Sequence, residues 1–204
     1  MAPDLSLQPA SPADLAARHL DAVAAALAAL DRQQLARIAG RLCDMQRAGG
    51  CAYWLGNGGS AATATHLASD FPKLTMVPGL ARRLRSVSLA ANTSLLTACA
   101  NDYGYGRVFV EQLDGVLEAP DVVVGVSTSG ASLNVLEAVR FARRAGAWTI
   151  GITGHRRTAL GEEADETVAI DSANVQVIEA STLAVGHALC LMVREMLAAE
   201  STAG

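Results

Sequence analysis

Two imidazoles and two carboxylates stand at helical spacings in a chain otherwise rich in alanine. His66 and Asp70 are four apart within "GSAATATHLASD", so a helix there puts them on one face. Glu179 and His187 are eight apart near the C-terminus; on a helix that leaves them about 80° from each other, two turns along and still on one side. Together they offer two nitrogen and two oxygen donors, a set that suits zinc and also accepts manganese or iron. Singly, each has a plainer use. His66 can be a hydrogen-bonded core histidine, Asp70 can solvate a helix end, and Glu179 and His187 can face water. His187 lies in "STLAVGHALCLMV", where a polar group needs a partner.

Two loops carry a second kind of chemistry. "GNGGS" (56–60) and "STSGAS" (127–132) each follow an apolar run and precede a helical pattern. Neither is a GxxxxGK[ST] loop, and "GNGGSA" lacks the glycine spacing of GxGxxG. Backbone N–H groups are free at a helix N-terminus, and the helix dipole favours an anion there. Asn57, Gly58, Gly59 and Ser60 in the first loop, and Ser127, Thr128, Ser129 and Ser132 in the second, are the candidate contacts. One such loop is ordinarily a plain turn. Two at one edge of one sheet point to a phosphate or phosphosugar site.

The elements that must position these residues alternate. Residues 1–14 are expected to form a loose N-terminal arm, with Ser11-Pro12 as a cap and first-turn proline, and residues 15–199 a single domain. Two long helices precede any strand, and Gly49-Gly50 ends the second. Apolar runs at 51–56, 86–90, 121–127, 148–153 and 167–171 read as strands. Helical patterns fall near 93–100, 106–117, 132–145, 158–164 and 175–199. Alternating strands and helices imply an α/β fold, a parallel sheet with helices on both faces.

Composition excludes several classes. Apolar residues make up 51% of the 204 and charged residues 18%, too apolar for a disordered chain. The formal charge of −4 is the wrong sign for a non-specific nucleic-acid binder. No unbroken apolar run reaches the roughly 18 residues of a membrane span, and the N-terminus lacks the basic start and apolar stretch of a signal peptide. Cys43, Cys51, Cys99 and Cys190 are far apart, with no CxxC pair, as expected of buried thiols in a cytoplasmic protein. Two basic clusters, Arg82-Arg83-Leu84-Arg85 and His155-Arg156-Arg157, are either solvated or face an anionic substrate.

"GNGGSA…H", "AND" (100–102), "STSG.S" and "GITG" (151–154) together resemble the sugar isomerase (SIS) domain, and within it the phosphoheptose isomerase branch, over roughly 15–199. The resemblance implies a three-layer sandwich with a five-stranded parallel sheet, a homotetramer with active sites where subunits meet, and a divalent metal, zinc in several members. It implies isomerisation between aldose and ketose forms of a phosphorylated sugar, sedoheptulose 7-phosphate or a related heptose phosphate. Family members carry a His and a Glu four apart after GNGGS, and a Gln and a His eight apart in the last helix. Those positions are His66, Asp70, Glu179 and His187 here, the implied metal ligands. Asp70 is one methylene shorter than the family's Glu, and Glu179 puts a charge where the family has an amide. Asp70 or Glu179 is then the base for the carbon proton and His187 the acid. Asp102 in "ANDYG" either orients sugar hydroxyls or shapes a turn. Other departures are Gln176, where the family has Asp, the loop "HRRTALGEE", and the stretch 71–85 with Lys73. The alternatives are a phosphosugar sensor without turnover, or an adaptor of replication initiation. No nucleic acid or membrane is an expected partner.

Overall fold

The β-branched run "VVVGVS" becomes the middle strand of a five-stranded sheet, with all six of its residues buried. The structure is a computed structural model and describes residues 11–80, 82–155 and 157–203. In chain order the elements are α1 (Pro12–Ala28), α2 (Arg32–Ala48), β1 (Cys51–Gly56), α3 (Gly59–Leu74), β2 (Arg85–Ser88) and α4 (Thr93–Tyr103). A 3₁₀ turn (Tyr105–Arg107) follows, then α5 (Val110–Leu113), β3 (Val122–Ser127), α6 (Leu133–Arg144), β4 (Trp148–Thr153), α7 (Ala159–Glu163), β5 (Glu166–Ala169) and α8 (Val175–Ala203). All strands are parallel, in the order β2-β1-β3-β4-β5.

Side chains alternate across the sheet with period 2. Ala52, Trp54, Val122 and Val124 join α2, α3 and α8 in one core, where Ile38, Leu42, Phe71 and Val193 are fully buried. Tyr53, Leu55 and Val123 join α5, α6 and α7 in the other, around Phe109, Val139 and Leu160. Both faces are covered, which gives the expected three-layer α/β sandwich.

Some boundaries move. α1 starts at Pro12, inside the segment expected as an arm, because Ser11 and Asp14 form a capping box. Residues 1–10 lie outside the described residues. The helix expected over 106–117 is broken into the 3₁₀ turn and the single turn α5, with an extended Asp114 behind it. α8, over Val175–Ser201, is long and apolar enough to cross a membrane by length and composition, although no unbroken run is. Val177, Ile178, Val185, Leu189, Cys190, Val193 and Leu197 of that helix are buried in this fold, so it serves as a core helix. The cluster Arg82, Arg83 and Arg85 stands where β2 begins, with Arg85 bonded to the Gly49 carbonyl. That is the edge opposite the two glycine loops, so the solvated reading applies to it.

All four cysteines are buried and free. Desolvation pushes Cys43, Cys51 and Cys190 up to about 11. At pH 8 each then holds about a hundredfold less thiolate than at its ordinary value. Iodoacetamide is expected to label them in unfolded but not in native protein, read by mass. The native state also keeps thiol protons that the unfolded chain releases above about pH 9, so stability is expected to fall as pH rises from there towards 11.

Candidate active site

With strand order 2-1-3-4-5, the direction in which successive strands are added reverses between β1 and β3, and ligands bind at such a switch point beyond the strands' carboxyl ends. The GNGGS loop follows β1 and the STSGAS loop follows β3, so both lie there. The helices they lead into differ from all the other α-helices but the single turn α5, which also lacks a side-chain cap. α1, α2, α4, α7 and α8 have side-chain caps from Ser11, Asp31, Asn92, Thr158 and Asn174. α3 and α6 have none. Apart from the Val135 N–H, which the Asn134 side chain takes, their first N–H groups are not held by a side chain, which suits an anion.

In the second loop the Ser127 and Ser132 hydroxyls are 3.1 Å apart. Thr128 is half-buried, and its carbonyl accepts the Gly154 N–H at 3.0 Å. Ser129 is exposed, and its hydroxyl accepts the Ala131 N–H. In the first loop Gly58 and Gly59 are exposed and Ser60 is buried. Asn57 forms a reciprocal amide pair with Asn134, both bonds being 2.8 Å, and also accepts the Tyr105 hydroxyl at 2.9 Å. Asn134 is a residue the sequence reading missed. Its signal is an amide at the second position of α6, on a face whose neighbours Val135, Leu136 and Val139 are all buried.

α3 and α8 lie side by side and run in the same direction. His66 Nε2 is 3.1 Å from Asp70 Oδ2, His187 Nε2 is 3.3 Å from the same oxygen, and the two nitrogens are 3.0 Å apart. Two imidazole nitrogens so close, with one carboxylate oxygen, need a proton or cation among them. Donors about 2.0–2.1 Å from a tetrahedral zinc stand about 3.3 Å from each other, so the spacing and the N₂O donor chemistry fit a divalent ion. Both histidines are about half exposed, whereas the Asp70 side chain is only 19% exposed.

Glu179 does not join these three. Its carboxylate lies over Gly59, where a Cβ would come within 2.2 Å of Oε1. It stands eight residues, about 12 Å along the axis, before His187, and it meets the uncapped end of α3, where a negative charge is favoured. Among the described residues it makes no hydrogen bond or ion pair. Asp102 is exposed on the last turn of α4 and accepts a bond from Asn101. Lys73 is exposed on the last turn of α3. His155 Nδ1 is 3.1 Å from Asp171, one strand beyond the second loop; Arg156 lies outside the described residues.

Gly186 sets the spacing of the two helices. A Cβ there would come within 2.4 Å of both Leu67 methyl carbons. Gly186→Val is expected to cost about 1–3 kcal/mol by overpacking, read by denaturant unfolding. It should also lower bound metal, because it drives α8 and its His187 away from His66.

Known proteins share the sequence pattern and the fold. The SIS domain family matches residues 17–154. The probable phosphoheptose isomerase of Thermoplasma acidophilum is 37% identical over 180 residues, covering 88% of this chain and 98% of that protein. The phosphoheptose isomerase of Bradyrhizobium sp. strain BTAi1 is 39% identical over 186 residues, covering 87% and 91%. The solved phosphoheptose isomerase of Neisseria gonorrhoeae superposes with a TM-score of 0.81 at 30% identity, covering 90% of this chain and 96% of that one. By sequence and fold the chain belongs to the SIS-domain family and, within it, to the phosphoheptose isomerases, a branch of isomerase enzymes.

Proposed function

We propose that this protein interconverts the aldose and ketose forms of a phosphorylated sugar, sedoheptulose 7-phosphate or a close heptose relative. The observation that carries the reading is the pair of uncapped glycine-loop helices at one sheet edge, one of which, α3, also carries His66 and Asp70 of the His66–Asp70–His187 cluster. The phosphate sits on Ser127, Thr128, Ser129 and Ser132 and the first N–H groups of α6. Asn57, Gly58, Gly59 and Ser60 hold the rest of the sugar phosphate, and Asp102 is the candidate for orienting hydroxyls. His66, Asp70 and His187 hold a divalent ion, zinc by donor type, which supplies positive charge where the substrate becomes an enediolate.

The reaction needs a base that takes a proton from the carbon beside the carbonyl and returns it to the neighbouring carbon. Asp70 already serves both imidazoles, and Glu179 is the carboxylate left without a partner. Glu179 therefore takes the carbon proton. His187 cannot both hold an ion and give a proton through one nitrogen. The two roles are therefore alternatives: where His187 holds the ion, the proton that passes between the two sugar oxygens needs another carrier, and His187 is the acid only in a metal-free reading of the site.

A homotetramer with sites between subunits is supported by apolar side chains with no cover in the single chain. α1 has no buried residue, with Leu15 and Leu20 exposed, and Leu95, Tyr103 and Leu133 are exposed near the loops. We place the protein in the cytoplasm, in keeping with four free thiols. The test is isomerisation of sedoheptulose 7-phosphate by protein as purified, after chelation, and after zinc or manganese is restored. Turnover lost with the metal and regained with it supports the reading. Sugar phosphate bound without turnover would replace it with a sensor, and neither metal nor turnover with an adaptor.

A further inference from the structure

The amide network behind the first loop has a fixed polarity. The backbone N–H of Val135 reaches Asn134 Oδ1 at 3.0 Å. A backbone N–H only donates, so that atom must be the oxygen and the Asn134 amide has one orientation. Asn134 Nδ2 then donates to Asn57 Oδ1, and Asn57 Nδ2 donates back, each at 2.8 Å. Since the atom of Asn57 that faces Tyr105 is now an oxygen, the phenol must donate to it, at 2.9 Å. Asn57 Oδ1 thus takes two donors and both its lone pairs are used. One Nδ2 proton is spent on Asn134, and the other has no acceptor among the described residues.

We propose that Asn134 and Tyr105 are positioning residues that hold Asn57 as a pure hydrogen-bond donor at the mouth of the GNGGS loop, ready for an oxygen of the phosphorylated sugar. They join three segments: the loop after β1, the first turn of α6 and the turn after α4. The two anion loops are thereby held in one register. An Asn57 free to turn its amide would present a carbonyl to the same oxygen half the time and repel it. Asn134 is only 3% exposed, so its part of the network is shielded from water, whereas Tyr105 is 55% exposed and closes it from outside.

The inference rests on the loops being a phosphosugar site, and the experiment has one arm that does not. Tyr105→Phe removes the outer donor at an exposed position and leaves the core untouched. It is expected to lower kcat/KM for sedoheptulose 7-phosphate about three- to tenfold, chiefly through KM. In an Asn57→Ala background the same change is expected to matter less than about twofold, because it acts through Asn57. Equal losses in both backgrounds, or no loss in the first, would overturn the proposal. The second arm needs no substrate. Exchange of the two amide protons that Asn57 and Asn134 share with each other, followed by NMR, is expected to be slow in the wild type. It should quicken in Tyr105→Phe and in Asn134→Asp, which keeps the acceptor for Val135 but loses the donor to Asn57. Fast exchange in the wild type sinks the proposal even if turnover is normal. Absent turnover with slow, variant-sensitive exchange sinks the isomerase reading and leaves the network standing.

Discussion

His187→Ala is expected to release the bound metal and remove isomerisation while the fold survives. The imidazole is about half exposed, so its loss leaves little cavity, and Leu189, Cys190 and Val193 still anchor α8. Its Nε2 lies 3.0 Å from His66 Nε2 and 3.3 Å from Asp70 Oδ2, so without it two donors remain on α3 alone. Removing a partner one shell out from a metal already costs about 10- to 100-fold in affinity or activity, so losing a donor is expected to cost at least about 100-fold in kcat. Metal content by mass spectrometry, kcat and the thermal midpoint give the three readings. Normal metal content with lost turnover would instead favour the acid role for His187.

The second large effect separates the two carboxylates. Glu179→Gln keeps the size of the side chain over Gly59 and removes the basic oxygen. It is expected to lower kcat about 10²- to 10⁴-fold, the usual worth of a positioned base, with metal content unchanged. Asp70→Asn should do the reverse in order: metal is lost first, and turnover falls because of it. Glu179→Ala removes both oxygens, and if it strips the metal, Glu179 is the fourth ligand and the base must be sought at Asp70. The measurement is metal content beside single-turnover rate for each variant, with and without added zinc.

The geometry behind these expectations was unevenly legible in the chain. The pairing of His66 with Asp70 follows from their spacing alone, since any helix through both puts them on one face. The two glycine–serine loops were legible because each follows an apolar run and leads into a helical pattern, which puts both at one edge of a parallel sheet. Glu179, expected among the metal donors, has its carboxylate over Gly59 and not beside the three donors that meet. Angular position around α8 was readable, but where the carboxylate would turn depends on α3 beside it and on the absence of a side chain at Gly59. Asn134 passed unnoticed because its partners are 77 residues away in Asn57 and, through it, Tyr105.

The sequence by itself determined the order of strands and helices, the β1 and β3 loops with their chemistry, and the local His66–Asp70 pair. These are set by contacts within a few residues, through hydrophobic period, turn chemistry and helix spacing. Only the tertiary structure decided that α8 would lie along α3, with Gly186 against Leu67, and so bring His187 to His66 across 121 residues of chain. It alone sent Glu179 to the end of α3 and joined Asn57 to Asn134. Periodicity gives each helix a face, but the offset between two helices is set by how their side chains pack, and no single stretch of sequence contains both.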